Sequence, residues 1–144
     1  MVLRAAYLTL HRRTEAILAP EGVTADQFVL LATLAQGGHA LTQRDLARRM
    51  PSDPSTVRAM LVLLESRGLV RRDIHPTDSR ARNVALTSSG KRKFQRLWAA
   101  SEEIRAVMFA SFRVEEAESL VALLSRIAGA LSPEGMSVGG STSD

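Results

Sequence analysis

Cysteine is absent from the 144 residues. Its absence excludes disulfides, Cys-ligated zinc and thiol-based redox sensing, but it does not choose a compartment. No apolar run is long enough to span a bilayer, so no membrane association is expected. The opening residues, MVLRAAYLTLHRR, lack the charge order and cleavage-site pattern of a secretion signal, which makes the cytoplasm the expected location. The chain also has no glycine-rich phosphate loop, no nucleophile elbow and no metal-spaced His/Asp cluster, and His11, His39 and His75 fall in different segments. An enzyme, a bound metal and a cofactor are therefore not expected. No internal repeat of useful length occurs.

What is present is ordinary for a folded protein: 45% hydrophobic and 24% charged residues. The formal net charge is +4. Its placement matters more than its size. Between Leu69 and Arg96 lie Arg71, Arg72, Arg80, Arg82, Lys91, Arg92, Lys93 and Arg96, against Asp73 and Asp78. That segment carries +6 and the remainder −2. A basic cluster on an otherwise near-neutral chain is the electrostatic footprint of a polyanion binder, though a solvated basic surface has the same composition.

Periodicity predicts a mainly α fold with a small β-hairpin wing. Over residues 2–18, Leu3, Ala6, Tyr7, Leu10, Thr14 and Ile17 form an amphipathic helical stripe that Pro20 and Gly22 end. Standing alone, such a helix is marginal in water, so its apolar face needs a partner. Thr24 and Gln27 form a capping box for the next helix, whose buried face is Phe28, Leu31, Ala32 and Leu34 and which ends at Gly37-Gly38. His39 follows in a loop. Thr42 caps a third helix with Asp45 in its first turn and Leu46, Ala47 and Met50 facing inward. Pro51 stops it. Asp53 caps a fourth helix with Pro54 at its first position, an apolar stripe of Val57, Met60, Leu61 and Leu64 continued beyond the helix by Leu69, and Gly68 as its stop. Helix, tight turn, helix is the helix-turn-helix pattern. Leu69–Arg72 and Asn83–Leu86 read as strand arms around the polar loop 73–82. Thr87 or Ser88 caps a long fifth helix to about Phe112, in whose first turn Gly90 is tolerated. A sixth helix over 114–131 carries Ala117, Leu120, Val121, Leu124, Ile127, Ala128 and Leu131 on one face. The last residues, PEGMSVGGSTSD, are small and polar and are expected to be a disordered tail. The expected organisation is an N-terminal dimerisation helix (1–22), a winged helix-turn-helix lobe (23–90), C-terminal dimerisation helices (91–131) and the tail (132–144).

The candidate site follows from geometry. A helix fits the major groove, and the first turn of a recognition helix faces base edges. Here that turn supplies Ser55 and Thr56, followed by Arg58, which can bind guanine bidentately or grip a phosphate. Asp53 would repel phosphate unless it is occupied in capping. Arg80, with Arg82, suits the negative minor groove beside that site. Asp78, two residues earlier, can pair with the Arg80 guanidinium and orient the wing; the alternative is a simple turn residue. Thr42, Gln43 and Arg44 begin the third helix, where phosphate contacts are common. Arg71 and Arg72 alternate faces, so only one can readily point to DNA.

DSRARNVALTSSG, residues 78–90, resembles the wing signature of MarR-type transcriptional regulators through Asp78, Arg80, Leu86, Thr87 and Gly90. Upstream, DLARRM, STV and LLESRGLV are similar to that family's helix-turn-helix, and the order of elements fits it from residue 1 to about 131. Ser79 stands where a second basic residue is usual. The resemblance implies a homodimer whose first, fifth and sixth helices interlock across a twofold axis. Two recognition helices would then read double-stranded DNA at a pseudo-palindromic operator, with half-sites about 34–36 Å apart. It implies a repressor, and a small aromatic or phenolic effector that releases DNA; the cysteine-oxidation route of other members is closed here. Tyr7, His11 and Trp98 border the expected effector crevice, but core or interface packing is the favoured reading of each, since aromatic stripes usually pack, and they are not counted as binding residues. The competing reading is a winged-helix protein-interaction module without specific DNA binding.

Overall fold

A computed structural model describes residues 1–38 and 40–131. The loop position of His39 and the expected disordered tail at 132–144 lie outside the described residues. The elements are α1 (Val2–Leu18), a 3-10 turn (Ala19–Glu21), α2 (Ala25–Gln36), β1 (Leu41–Thr42), α3 (Gln43–Arg49), α4 (Pro54–Ser66), β2 (Val70–Ile74), β3 (Arg82–Leu86), α5 (Ser88–Ala100), α6 (Glu102–Phe109) and α7 (Val114–Ala130). The fold is mainly helical with a small antiparallel sheet, as the patterning predicts. Among the described residues, no single helix is long and apolar enough to cross a membrane.

Local chemistry sets most helix starts. Gln27 N–H donates to Thr24 Oγ1 at 3.1 Å, and Thr24 N–H donates to Gln27 Oε1 at 3.3 Å, completing the capping box of α2. Thr42 accepts from Asp45 N–H at 3.0 Å to start α3, and Thr87 accepts from Gly90 N–H at 3.0 Å to start α5. Gly68, with φ +67°, lets the chain turn out of α4 into β2.

Two compact units are present, Met1–Ile104 and Arg105–Asp144, the second described to Leu131. The core of the first gathers Leu18, Leu30, Leu31, Leu34, Leu46, Met50, Val57, Met60, Leu61, Leu64, Val70, Val84 and Leu97. Phe28 and Ala32, expected in the buried face of α2, are half-buried, and Leu30 takes the deeper position. The sheet order is β1-β3-β2. Leu41 pairs with Val84 and Thr42 with Asn83, while β2 and β3 run in register from Val70 opposite Leu86 to Ile74 opposite Arg82. Relative to the predicted arms, β2 starts one residue later and runs two further, to Ile74, and β3 starts one residue earlier, at Arg82, which shortens the loop between them.

One element departs from expectation. The long fifth helix predicted to reach Phe112 ends at Ala100, and a separate α6 begins at Glu102. The buried Ser101 between them turns its hydroxyl back to the Trp98 carbonyl at 3.0 Å. A serine that bonds the preceding turn competes with the helical ladder. Glu102 and Glu103 then place negative charge where a new helix N-terminus favours it.

Candidate nucleic-acid interface

The helix-turn-helix is α3 and α4. α4 buries Val57, Met60, Leu61 and Leu64 and leaves Ser55, Thr56, Arg58, Ala59 and Val62 exposed, so one face is free to meet a ligand. At its start, Asp53 is saturated with donors. Its Oδ1 accepts from Ser55 N–H and Thr56 N–H, each at 3.0 Å, and from the Ser55 hydroxyl; its Oδ2 accepts from Thr56 Oγ1 at 2.6 Å. These bonds, the Ser55 hydroxyl first and the Thr56 hydroxyl next, hold the Asp53 carboxyl far below the usual carboxylate range. The capping role expected of Asp53 is thus present, and it engages both hydroxyls of the candidate site.

Thr42, Gln43 and Arg44 sit at the junction of β1 and α3. Thr42 is occupied as a cap: it accepts from Asp45 N–H and donates to Asp45 Oδ2 at 2.6 Å. Gln43 is half-buried and Arg44 exposed. The pairing of Thr42 with Asn83 sets this junction beside the wing strand that begins with Arg82. β1 was not legible in the sequence, because two residues show no periodicity.

The wing loop is closed by backbone bonds from His75 N–H to Ala81 O at 3.1 Å and from Ala81 N–H to Asp78 O at 3.0 Å. Asp78 does not pair with the Arg80 guanidinium. Its Oδ1 accepts from the Arg80 backbone N–H at 2.9 Å, the bond of an Asx turn, so it shapes the loop rather than the arginine side chain. Two residues' separation in a tight turn brings the carboxylate to the backbone first. The exposed Arg80 guanidinium has no protein partner among the described residues. Arg82 donates to the Ser79 and Ala81 carbonyls at 3.1 and 3.3 Å and braces the loop from within.

The count of basic residues overstates the charge available to a ligand. Arg72 is half-buried and bonds Glu65 at the end of α4, and its Nε donates at 2.9 Å. Lys93 donates to both the backbone oxygen and the carboxylate of Glu21, each at 2.6 Å. Glu65 is held below its ordinary range chiefly by the Arg72 hydrogen bond, and Glu21 chiefly by the hydrogen bond from Lys93. Arg71 pairs with Asp73 at 3.3 Å and Arg96 lies 3.9 Å from Glu21. Arg58 and Arg80 are the site arginines whose guanidiniums bond no protein group among the described residues, and Arg44 joins them at the start of α3.

The wing is fastened at its root. Thr87 Oγ1 donates to the Gly68 carbonyl at 2.6 Å, and the start of α5 passes so close to Leu69 that a Cβ on Gly90 would lie 1.9 Å from the Leu69 oxygen. The glycine read as tolerated is therefore required by packing. Trp98, Phe28 and Phe94 form an aromatic cluster with ring centroids 5.8–6.5 Å apart, and Tyr7 lies 5.7 Å from His11.

A family model described as MarR family matches residues 23–81, which span α2 to the wing loop. The HTH-type transcriptional repressor MdtR of Bacillus subtilis is 35% identical over 96 residues, which make up 67% of this chain and 61% of that protein. The chain spans less than two thirds of the length of the curated relatives it matches. Among solved structures, S. aureus MepR in its DNA-binding conformation is 25% identical, with a TM-score of 0.81 over 90% of this chain and 96% of that one. The S. aureus MepR–DNA complex is likewise 25% identical, with a TM-score of 0.77 over 90% and 94% of the two chains.

Proposed function

We propose that this chain, which belongs to the MarR family, is a transcriptional repressor that binds a pseudo-palindromic operator in double-stranded DNA as a homodimer. The observation that carries the reading is the exposed face of α4 with Arg58, beside a closed wing bearing Arg80, both guanidiniums without a protein partner among the described residues. In this reading Ser55, Thr56 and Arg58 meet base edges in the major groove, Arg80 enters the adjacent minor groove, and Thr42, Gln43 and Arg44 lie along phosphate. Arg82 and Asp78 act indirectly, by holding the wing loop in shape. The relative MdtR is named a repressor, and MepR is seen bound to DNA; both fit this role.

Dimerisation is supported by apolar surface that the single chain leaves uncovered. Leu3, Tyr7 and Leu8 on α1 and Val121, Leu124, Ile127 and Leu131 at the C-terminal end are exposed. Exposed apolar stretches of this kind mark interfaces. Release by a small aromatic or phenolic effector belongs to the same proposal. The partly exposed rings of Phe28, Phe94 and Trp98 support it, and such a ligand acts only by its differential affinity for DNA-competent and DNA-incompetent dimers.

A mobility-shift titration on random duplex at low salt tests the reading. Retardation that weakens steeply as salt rises is expected, because phosphate neutralisation releases counterions. Absence of retardation would favour a winged-helix module that binds protein instead.

A further inference from the structure

The proposed groove-facing surface of α4 has an internal asymmetry, whose consequence for base choice rests on the DNA-binding reading of that surface. Ser55 and Thr56 are exposed, but their hydroxyls are not free rotors. Both donate to the Asp53 carboxylate, Thr56 to Oδ2 at 2.6 Å and Ser55 to Oδ1. A carboxylate has only lone pairs, so each hydroxyl must supply the proton. Each has a single proton, and what remains on its outer side is acceptor capacity alone. Arg58, three residues from Ser55 on the same exposed face, carries donors only.

We infer that Asp53 determines base specificity by taking both hydroxyl protons, which restricts Ser55 and Thr56 to exocyclic amino groups, adenine N6 or cytosine N4, while Arg58 takes the acceptor edges. Phosphate oxygens and guanine O6 and N7 only accept, so these hydroxyls do not bind them. Asp53 is thus a positioning residue that acts through its neighbours. It remains ionised across the physiological range, because the same bonds keep its carboxyl far below the usual values.

Which proton changes direction in a variant is also fixed. Oδ1 serves two backbone N–H groups at 3.0 Å and Oδ2 serves none. In Asp53→Asn the amide oxygen therefore keeps the Oδ1 place and the amide nitrogen replaces Oδ2. The nitrogen donates to Thr56 Oγ1, whose own proton swings outward. Ser55 still donates to the amide oxygen. Asparagine caps a helix about as well as aspartate, so the start of α4 is preserved.

The test is selection of bound sequences from random duplex DNA by the full chain, for the natural sequence, Asp53→Asn and Thr56→Val. Thr56→Val should erase preference at one position per half-site, and there the natural chain should select adenine or cytosine. Asp53→Asn should move that same position toward thymine or guanine by roughly two- to tenfold, the worth of one hydrogen bond, and leave the position read by Ser55 unchanged. Base preference is the readout rather than affinity, because loss of a negative charge strengthens binding to any duplex. An identical motif for Asp53→Asn, or no position lost in Thr56→Val, overturns the inference while the DNA-binding reading stands. No enriched motif for the natural chain overturns both.

Discussion

An added Cβ on Gly90 would lie 1.9 Å from the Leu69 carbonyl oxygen, a backbone atom that also accepts from Thr87 N–H at 3.1 Å. Neither backbone can yield without opening the joint between the wing root and α5. Gly90→Ala is therefore expected to cost about 1–3 kcal/mol or more, the range for overpacking a fitted site. A denaturant midpoint equal to that of the parent would contradict the close approach. Residue chemistry also separates Arg58 from Arg80, whose guanidiniums both lack a protein partner among the described residues. Arg80→Ala should weaken binding to most duplexes and lower the salt slope by about one unit, because it removes one phosphate-region charge. An unchanged slope would remove Arg80 from the phosphate-rich groove. Arg58→Ala should instead alter the selected sequence, since a bidentate contact is worth about 1–3 kcal/mol of discrimination. An unaltered motif would show that Arg58 reads no base. At this scale the sequence was legible where one residue bonds its own neighbours, as in Asp53 with Ser55 and Thr56. It was ambiguous for Asp78, where backbone and side-chain partners lay equally near along the chain.

Elements are joined here by ion pairs that residue order alone does not reveal. Arg72 ties β2 to the end of α4 through Glu65, and Lys93 ties α5 to Glu21 in the turn after α1. Glu21 and Lys93 are 72 positions apart, and such long-range pairs leave no mark in local patterning. Both glutamates are held below 4.5, their ordinary value, by their cationic partners. A depressed carboxyl contributes stability that is complete above its unfolded value and lost as pH falls through its folded value. Stability from these two groups should therefore be level at neutral pH and fall on acidification below about 4.5. Glu21→Gln should flatten part of that acid decline in a thermal-unfolding series. A decline of the same steepness would mean that the Lys93 pair adds nothing to folding. Helix starts were legible because caps are local. The break at Ser101 was harder to see, yet the sequence carries its trace. Trp98 and Ile104 are the last and next apolar positions of the fifth pattern, and the gap between them holds Ser101, Glu102 and Glu103.

For the whole molecule, the apolar stripes of α1 and α7 were legible in the sequence, and the described chain leaves Leu3, Ala6 and Tyr7 of the first and most of the second exposed. Leu124 is 40% exposed and Ile127 47%, so a polar replacement there changes surface rather than a filled core. Leu124→Asp is expected to convert dimers to monomers, or to drive aggregation through the remaining apolar face, by light scattering. A folded dimer of unchanged mass would place the interface elsewhere. The positions of the site residues followed from element order, whereas their hydrogen-bond states depended on geometry. If two copies of one winged helix-turn-helix read a symmetric DNA site, selection of bound sequences from random duplex by the full chain near physiological salt should enrich an inverted repeat with half-sites about one helical turn apart, centre to centre about 34–36 Å. Enrichment of an unrepeated half-site would contradict the symmetric dimer, and no enrichment at all would contradict sequence reading by α4.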